Sequence, residues 1–131
     1  IAYKVNEQDP DAPLSYSHLI PFPANLAKFM IKYDALSGRY YSIACRLLEG
    51  VESARNLLSL MASKDLKEWE LVTDLIDCSK EDPKLIGFQY VDFEIEGDDI
   101  IFLCRTAMNG AHSFHDSNYS TFHRVENFRA L

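Results

Sequence analysis

Along most of this chain apolar residues come in short runs of Tyr, Phe, Val, Ile and Leu separated by turn formers, and helical spacing is poor throughout. The pattern predicts strands. Asp9-Pro10-Asp11-Ala12-Pro13 and Pro21-Phe22-Pro23-Ala24-Asn25 mark two loops, with a short segment at 15–20 between them. Beyond Asn25, residues 28–33 make a strand, 34–38 a hairpin connection with Gly38 at its end, and 39–48 the partner strand. Residues 56–63 and 69–76, on either side of a turn at 64–68, complete four antiparallel strands in succession. The stretch 52–61 fits a helix as well as a strand and, without caps, is read as a strand. The pattern restarts at Gly87 with a strand at 88–96, a turn at Gly97-Asp98-Asp99 and an apolar strand at 100–106. A polar loop at 109–117 and a last strand at 119–125 follow, which leaves this second unit one strand short.

In a two-sheet sandwich one face of each strand meets water, so apolar and polar residues alternate. Phe29-Met30-Ile31, Leu57-Leu58-Ser59-Leu60-Met61 and Ile100-Ile101-Phe102-Leu103 are instead apolar at successive positions and want cover on both faces. Stacked four-stranded units give such cover. The expected fold class is therefore all-β, with antiparallel four-stranded sheets forming a partial β-propeller of about two to three blades. A small β-sandwich is the disfavoured alternative. The single unit over 1–131 divides into an N-terminal segment at 1–24, a first blade at 25–78 and a second blade at 86–131. Closed propellers use about four to eight blades of about 40–45 residues. An arc of this length leaves sheet faces and edges that either the remaining blades of a longer parent chain or self-association must cover. The sequence opens on Ile1-Ala2-Tyr3 rather than on Met, so its start is read as a processed or cut terminus and need not be the start of the gene product.

The 131 residues suffice for one domain with a core and are too few for two. The net charge of -7 is the wrong sign for a polyanionic backbone, so nucleic acid is not expected as a partner. No apolar stretch approaches the roughly 20 residues of a bilayer span, and no membrane partner is expected. Cys45, Cys78 and Cys104 cannot all pair within one chain and lack metal-ligand spacing, so they are read as buried, reduced small hydrophobes.

Ser63-Lys64-Asp65-Leu66-Lys67-Glu68-Trp69 resembles the Ser-x-Asp-x-x-x-Trp turn of sialidase-like propellers, a degenerate Asp-box, and the related turn of five-bladed fructosidases and arabinanases. Its chemistry is structural: the Asp accepts from turn N–H groups and the Trp fills the gap between sheets. Neither is expected to touch substrate. The segment from Gly87-Phe88-Gln89-Tyr90-Val91-Asp92-Phe93 through Arg105-Thr106-Ala107 and His115-Asp116-Ser117-Asn118-Tyr119 to Phe128-Arg129 resembles the C-terminal part of glycosidase-like propellers. The resemblance implies a retaining, sialidase-like glycoside hydrolase, with Tyr90 at the place of the nucleophilic Tyr, a carbohydrate substrate, no cofactor, and a secreted or periplasmic location. The family's early motif, with its first substrate-binding Arg and its acid/base Asp, is absent, and Arg105 stands where sialidases have an acid. A non-catalytic carbohydrate-binding or interaction module of similar fold is the alternative.

Tyr90 is the candidate nucleophile or, more plainly, a half-buried strand tyrosine. Asp92, two residues on, shares its face on a regular strand and could tune the phenol. Arg105 could take a substrate carboxylate bidentately, but an ion pair with Asp92 or Glu94 is the expected role. His115, Asp116 and Asn118 are candidate substrate contacts on a rim loop whose side chains would also cap a turn. His112, His115, Asp116 and His123 match no zinc spacing, so no metal is expected.

Overall fold

The computed structural model describes residues 1–50 and 54–131 and is all-β, with nine strands among them and one 3-10 turn. The strands are β1 (Ala2–Lys4), β2 (Ser15–His18), β3 (Met30–Asp34), β4 (Arg39–Cys45), β5 (Leu57–Ser63), β6 (Trp69–Asp77), β7 (Gly87–Glu96), β8 (Asp99–Ala107) and β9 (Tyr119–Val125). They form three antiparallel sheets: a β1-β2 hairpin, a four-stranded β3-β4-β5-β6 meander and a three-stranded β7-β8-β9 meander. The β3-β4, β5-β6 and β7-β8 pairings follow from short turns, because a strand reversed in a few residues pairs with its predecessor, whereas β1-β2, β4-β5 and β8-β9 are joined by longer connections. At the β3-β4 turn Gly38 adopts φ 67, which suits glycine, and Asp34 Oδ2 accepts from Ser37 N at 2.9 Å.

The four- and three-stranded sheets face one another, with β7 packed over β3, β4 and β5. Tyr41, Ile43, Cys45, Leu58, Leu60 and Ala62 from one sheet meet Phe88, Val91, Phe93, Ile100, Phe102 and Cys104 from the other. A parallel bridge between Arg55 and Gly87 joins the two at one end. The C-terminal turn Phe128–Ala130 closes the other end: Phe128 is buried edge-on against Tyr41 at 5.0 Å, and Arg129 forks onto both oxygens of Asp34 at 2.8 Å each. That guanidinium holds the buried Asp34 carboxyl well below the usual carboxylate range.

Three expectations change. The apolar run of β5 has the two-sided cover anticipated, all seven residues being buried, but in β8 Ile100 and Phe102 are buried while Leu103 is 54 % exposed. Phe29 and Ile31 are likewise exposed in part. Trp69 does not fill the gap between the sheets. It stands half-buried with its ring 4.9 Å from Phe22 of the N-terminal loop, because Ser63 and Trp69 pair on the face of the four-stranded sheet turned away from the core. The third change is β1, which carries no alternating apolar pattern and is defined only by its pairing with β2. Of the stretch 52–61, residues 52 and 53 lie outside the described residues, and 57–61 are strand.

The Asp65 turn forms as a lock of local bonds. Ser63 Oγ accepts from Leu66 N at 2.9 Å, Asp65 Oδ1 accepts from Lys67 N at 2.8 Å and Glu68 N at 2.9 Å, and Trp69 Nε1 donates to Leu66 O at 3.4 Å. These bonds hold Leu66 at φ 65. The acceptor role satisfies turn amides that a β-hairpin tip would otherwise leave to water.

Candidate functional site

β7 is interrupted where the sequence places its candidate nucleophile. Gln89 pairs with Arg105 and Asp92 with Leu103, so one residue too many stands on β7, and Tyr90 takes up the excess at φ 52. A bulge residue in the left-handed region is ordinarily glycine, and a tyrosine there stores strain of order 1–3 kcal/mol. Val91 turns into the core, while Tyr90 and Asp92 both face outward.

Two cations flank the Tyr90 ring. Lys28 Nζ lies 5.1 Å and the Arg105 guanidinium carbon 5.2 Å from its centroid, both within cation–π range. The expected ion pair of Arg105 with Asp92 or Glu94 does not form. Glu94 is taken by Lys32 from the facing sheet, and in the register Arg105 stands opposite Gln89 while Asp92 stands opposite Leu103. Arg39, Arg46, Arg124 and Arg129 pair with carboxylates, and Arg55 donates to Gln89 Oε1 at 2.7 Å. Among the described residues Arg105 is the one arginine whose guanidinium makes no hydrogen bond or ion pair.

Beneath the bulge the support is well built. Gln89 is buried, accepting from Arg55 and donating to Phe114 O, and the Arg55 guanidinium covers the Phe114 ring at 5.4 Å. Phe114 O lies where a Cβ on Gly87 would come within 2.7 Å, so only glycine lets the loop approach β7 this closely. Cys45 Sγ–H donates to Phe88 O at 2.9 Å, and burial pushes its thiol up to about 12. Cys104 is raised by burial as well, so both remain protonated packing groups.

The rim loop turns in on itself. Asn118 binds Met108 both ways, Nδ2 to O at 2.8 Å and Oδ1 from N at 3.2 Å. Asp116 pairs with His112 at 3.1 Å on the surface, and the His115 ring lies edge-on to Phe114 at 6.0 Å. His123 stacks on Phe102 at 4.6 Å and shares a bond of 2.8 Å with Thr121 Oγ1. No group of three or more metal-ligating side chains converges among the described residues.

Tyr90, Arg105 and outward-facing Asp92 thus come together on one face, whereas His115, Asp116 and Asn118 bond within their loop. Lys28, Gln89 and Arg55 were not singled out from the sequence. Lys28 reaches Tyr90 across 62 positions, a distance no local pattern spans. Chemically the arrangement offers an uncommitted guanidinium, an ammonium and a phenol on a strained bulge, a set suited to holding an anionic group. Comparison of the chain with protein-family models, curated proteins and solved structures gives no match.

Proposed function

We propose that this chain is a two-blade portion of a carbohydrate-active β-propeller, a glycoside hydrolase of the sialidase-like kind whose candidate nucleophile is Tyr90. The observation that carries the reading is the Arg105 guanidinium, left without a carboxylate partner among the described residues of an acidic chain and set against a tyrosine held in a left-handed bulge. Arg105 and Lys28 receive the carboxylate of an acidic sugar, and Asp92 faces outward on the same strand as Tyr90. The stack of two meanders, with the outer face of the second left open, suits a chain whose remaining blades come from elsewhere. The chain by itself binds and does not turn over, because the general acid must stand across the bond from the nucleophile and only one side is present.

Titration of the chain with a sialyl-lactose probe, followed by calorimetry, tests this. Binding is expected and should weaken at least tenfold in Arg105→Ala, the loss of about 1.4 kcal/mol that one charge-assisted contact supplies. Binding indifferent to both Arg105→Ala and Tyr90→Phe would sink the reading, as would hydrolysis of an aryl sialoside by the chain alone. In a longer parent protein, Tyr90→Phe should remove most of the activity.

The second reading, a non-catalytic carbohydrate-binding module, draws on a different place. A cleft of about 420 Å³ at the Asp65 turn is lined by Trp69, Arg39, Glu68 and Glu70, within the size range of small-molecule sites. Neutral saccharides that quench the single Trp and bind equally well to Arg105→Ala would favour it.

A further inference from the structure

The sheet edges of this protein are not alike. β3 is five residues long and turns Lys32 across to the facing sheet. β6 breaks register twice against β5, and β7 carries the Tyr90 bulge. Short length, inward charge and bulges are the means by which exposed edges are kept from pairing with other chains. β9 has none of them. Its seven residues run one-to-one against β8 from Thr106↔Tyr119 to Ile100↔Val125 without a shift, contain no Pro or Lys, and bond to no strand but β8 among the described residues. Beside this edge lies a groove with Ile101, Leu103 and Phe122 on its apolar side and Asp92 and Glu94 of β7 among its lining, Phe122 being 61 % exposed.

We propose that β9 is a self-association edge on which a second copy of the chain adds its own β9, antiparallel and centred on Phe122. The occupant is argued from the strand's own order. About a twofold axis at Phe122, Tyr119 falls opposite the partner's Val125, Ser120 opposite the partner's Arg124, Thr121 opposite the partner's His123, and Phe122 opposite the partner's Phe122. Apolar meets apolar at the centre and ends, hydroxyl meets base between them, and no charge opposes its like, the condition for favourable cross-strand pairs. Leu103 and Phe122 are already paired across β8 and β9. The twofold therefore joins two such pairs into one apolar stripe, an isologous contact that closes on itself. The inference uses only the edge and does not depend on the carbohydrate reading.

Size exclusion with light scattering on the 131-residue chain tests it. Twice the monomer mass is expected at micromolar concentration, reverting to monomer in Phe122→Lys, which sets two ammonium groups face to face at the axis while leaving the exposed site's fold intact by circular dichroism. A register test accompanies it: Phe122→Cys should cross-link to a covalent dimer under mild oxidation because directly opposed residues lie within disulfide reach, whereas Ser120→Cys and the unaltered chain should not. A monomer at all concentrations overturns the proposal, as does a dimer that survives Phe122→Lys or cross-links through Ser120→Cys in preference to Phe122→Cys.

Discussion

β5 and β8 are the same kind of strand in two different settings. Each is an interior strand of a meander, and each carries apolar residues at successive positions. On β5 the outward residues Ser59 and Met61 are fully buried, while on β8 the outward Leu103 is more than half exposed. The difference lies in what crosses the outer face. Over the four-stranded sheet, Phe22 packs on Phe29 at 4.7 Å and on Trp69, and Asn56 and Asn25 tie residues 78–81 and 54 to it. Nothing comparable lies over Ile101, Leu103 and Phe122 among the described residues. An apolar run on both faces of a strand states a demand for cover and leaves open where the cover comes from.

The sharpest way to break this comparison is truncation on the two outer faces. Met61→Ala should destabilise by about 2 to 5 kcal/mol, as removal of a buried side chain with a residual cavity does, and Leu103→Ala by no more than about 0.5 kcal/mol, both measured by urea unfolding. Equal costs would mean that the two faces are equally covered in solution. Next in size is the clasp that ties the sheets at their far end. Asp34→Ala should cost about 3 kcal/mol, the loss typical of breaking a buried pair. Because Asp34 titrates below its ordinary 3.8, its stabilisation is complete above that value and is lost as pH falls through the lowered one. Thermal unfolding between pH 7 and pH 2 should therefore show a gap between the native chain and Asp34→Ala that narrows at the acid end. A constant gap would remove the ion pair from the account.

The smallest effect concerns the inner face of β9. Burial of the His123 ring lowers its proton affinity from the ordinary 6.5, so the folded state resists protonation. Stability should be complete above that pH and decline as pH falls below it. His123→Phe, which keeps a ring against Phe102, should lose this component of the pH dependence. An NMR titration placing His123 above its ordinary value would contradict the assignment.

Much of the strand order was legible in the sequence because hairpin chemistry is local. Asp34 to Gly38, Ser63 to Trp69 and Gly97 to Asp99 each reverse the chain within a few residues, and the apolar runs on either side could only pair with one another. The Asp65 lock was legible for the same reason, its donors lying within three residues of its acceptors. The face on which Trp69 lies was not, since it depends on the register of β5 against β6 and on a loop more than 40 positions away.

At the candidate site the division is similar. That Tyr90 and Asp92 lie on a strand near Arg105 followed from the residues between Gly87 and Thr106 alone. That the strand bulges at Tyr90, that Lys28 reaches its ring, and that Lys32 takes Glu94 were decided by tertiary packing. Local sequence sets the strands through backbone geometry and the period of apolar residues, which act over a few positions. The charges available to a side chain, and the cover over each face, come from chain segments brought together only by the shared core, and no local period encodes them.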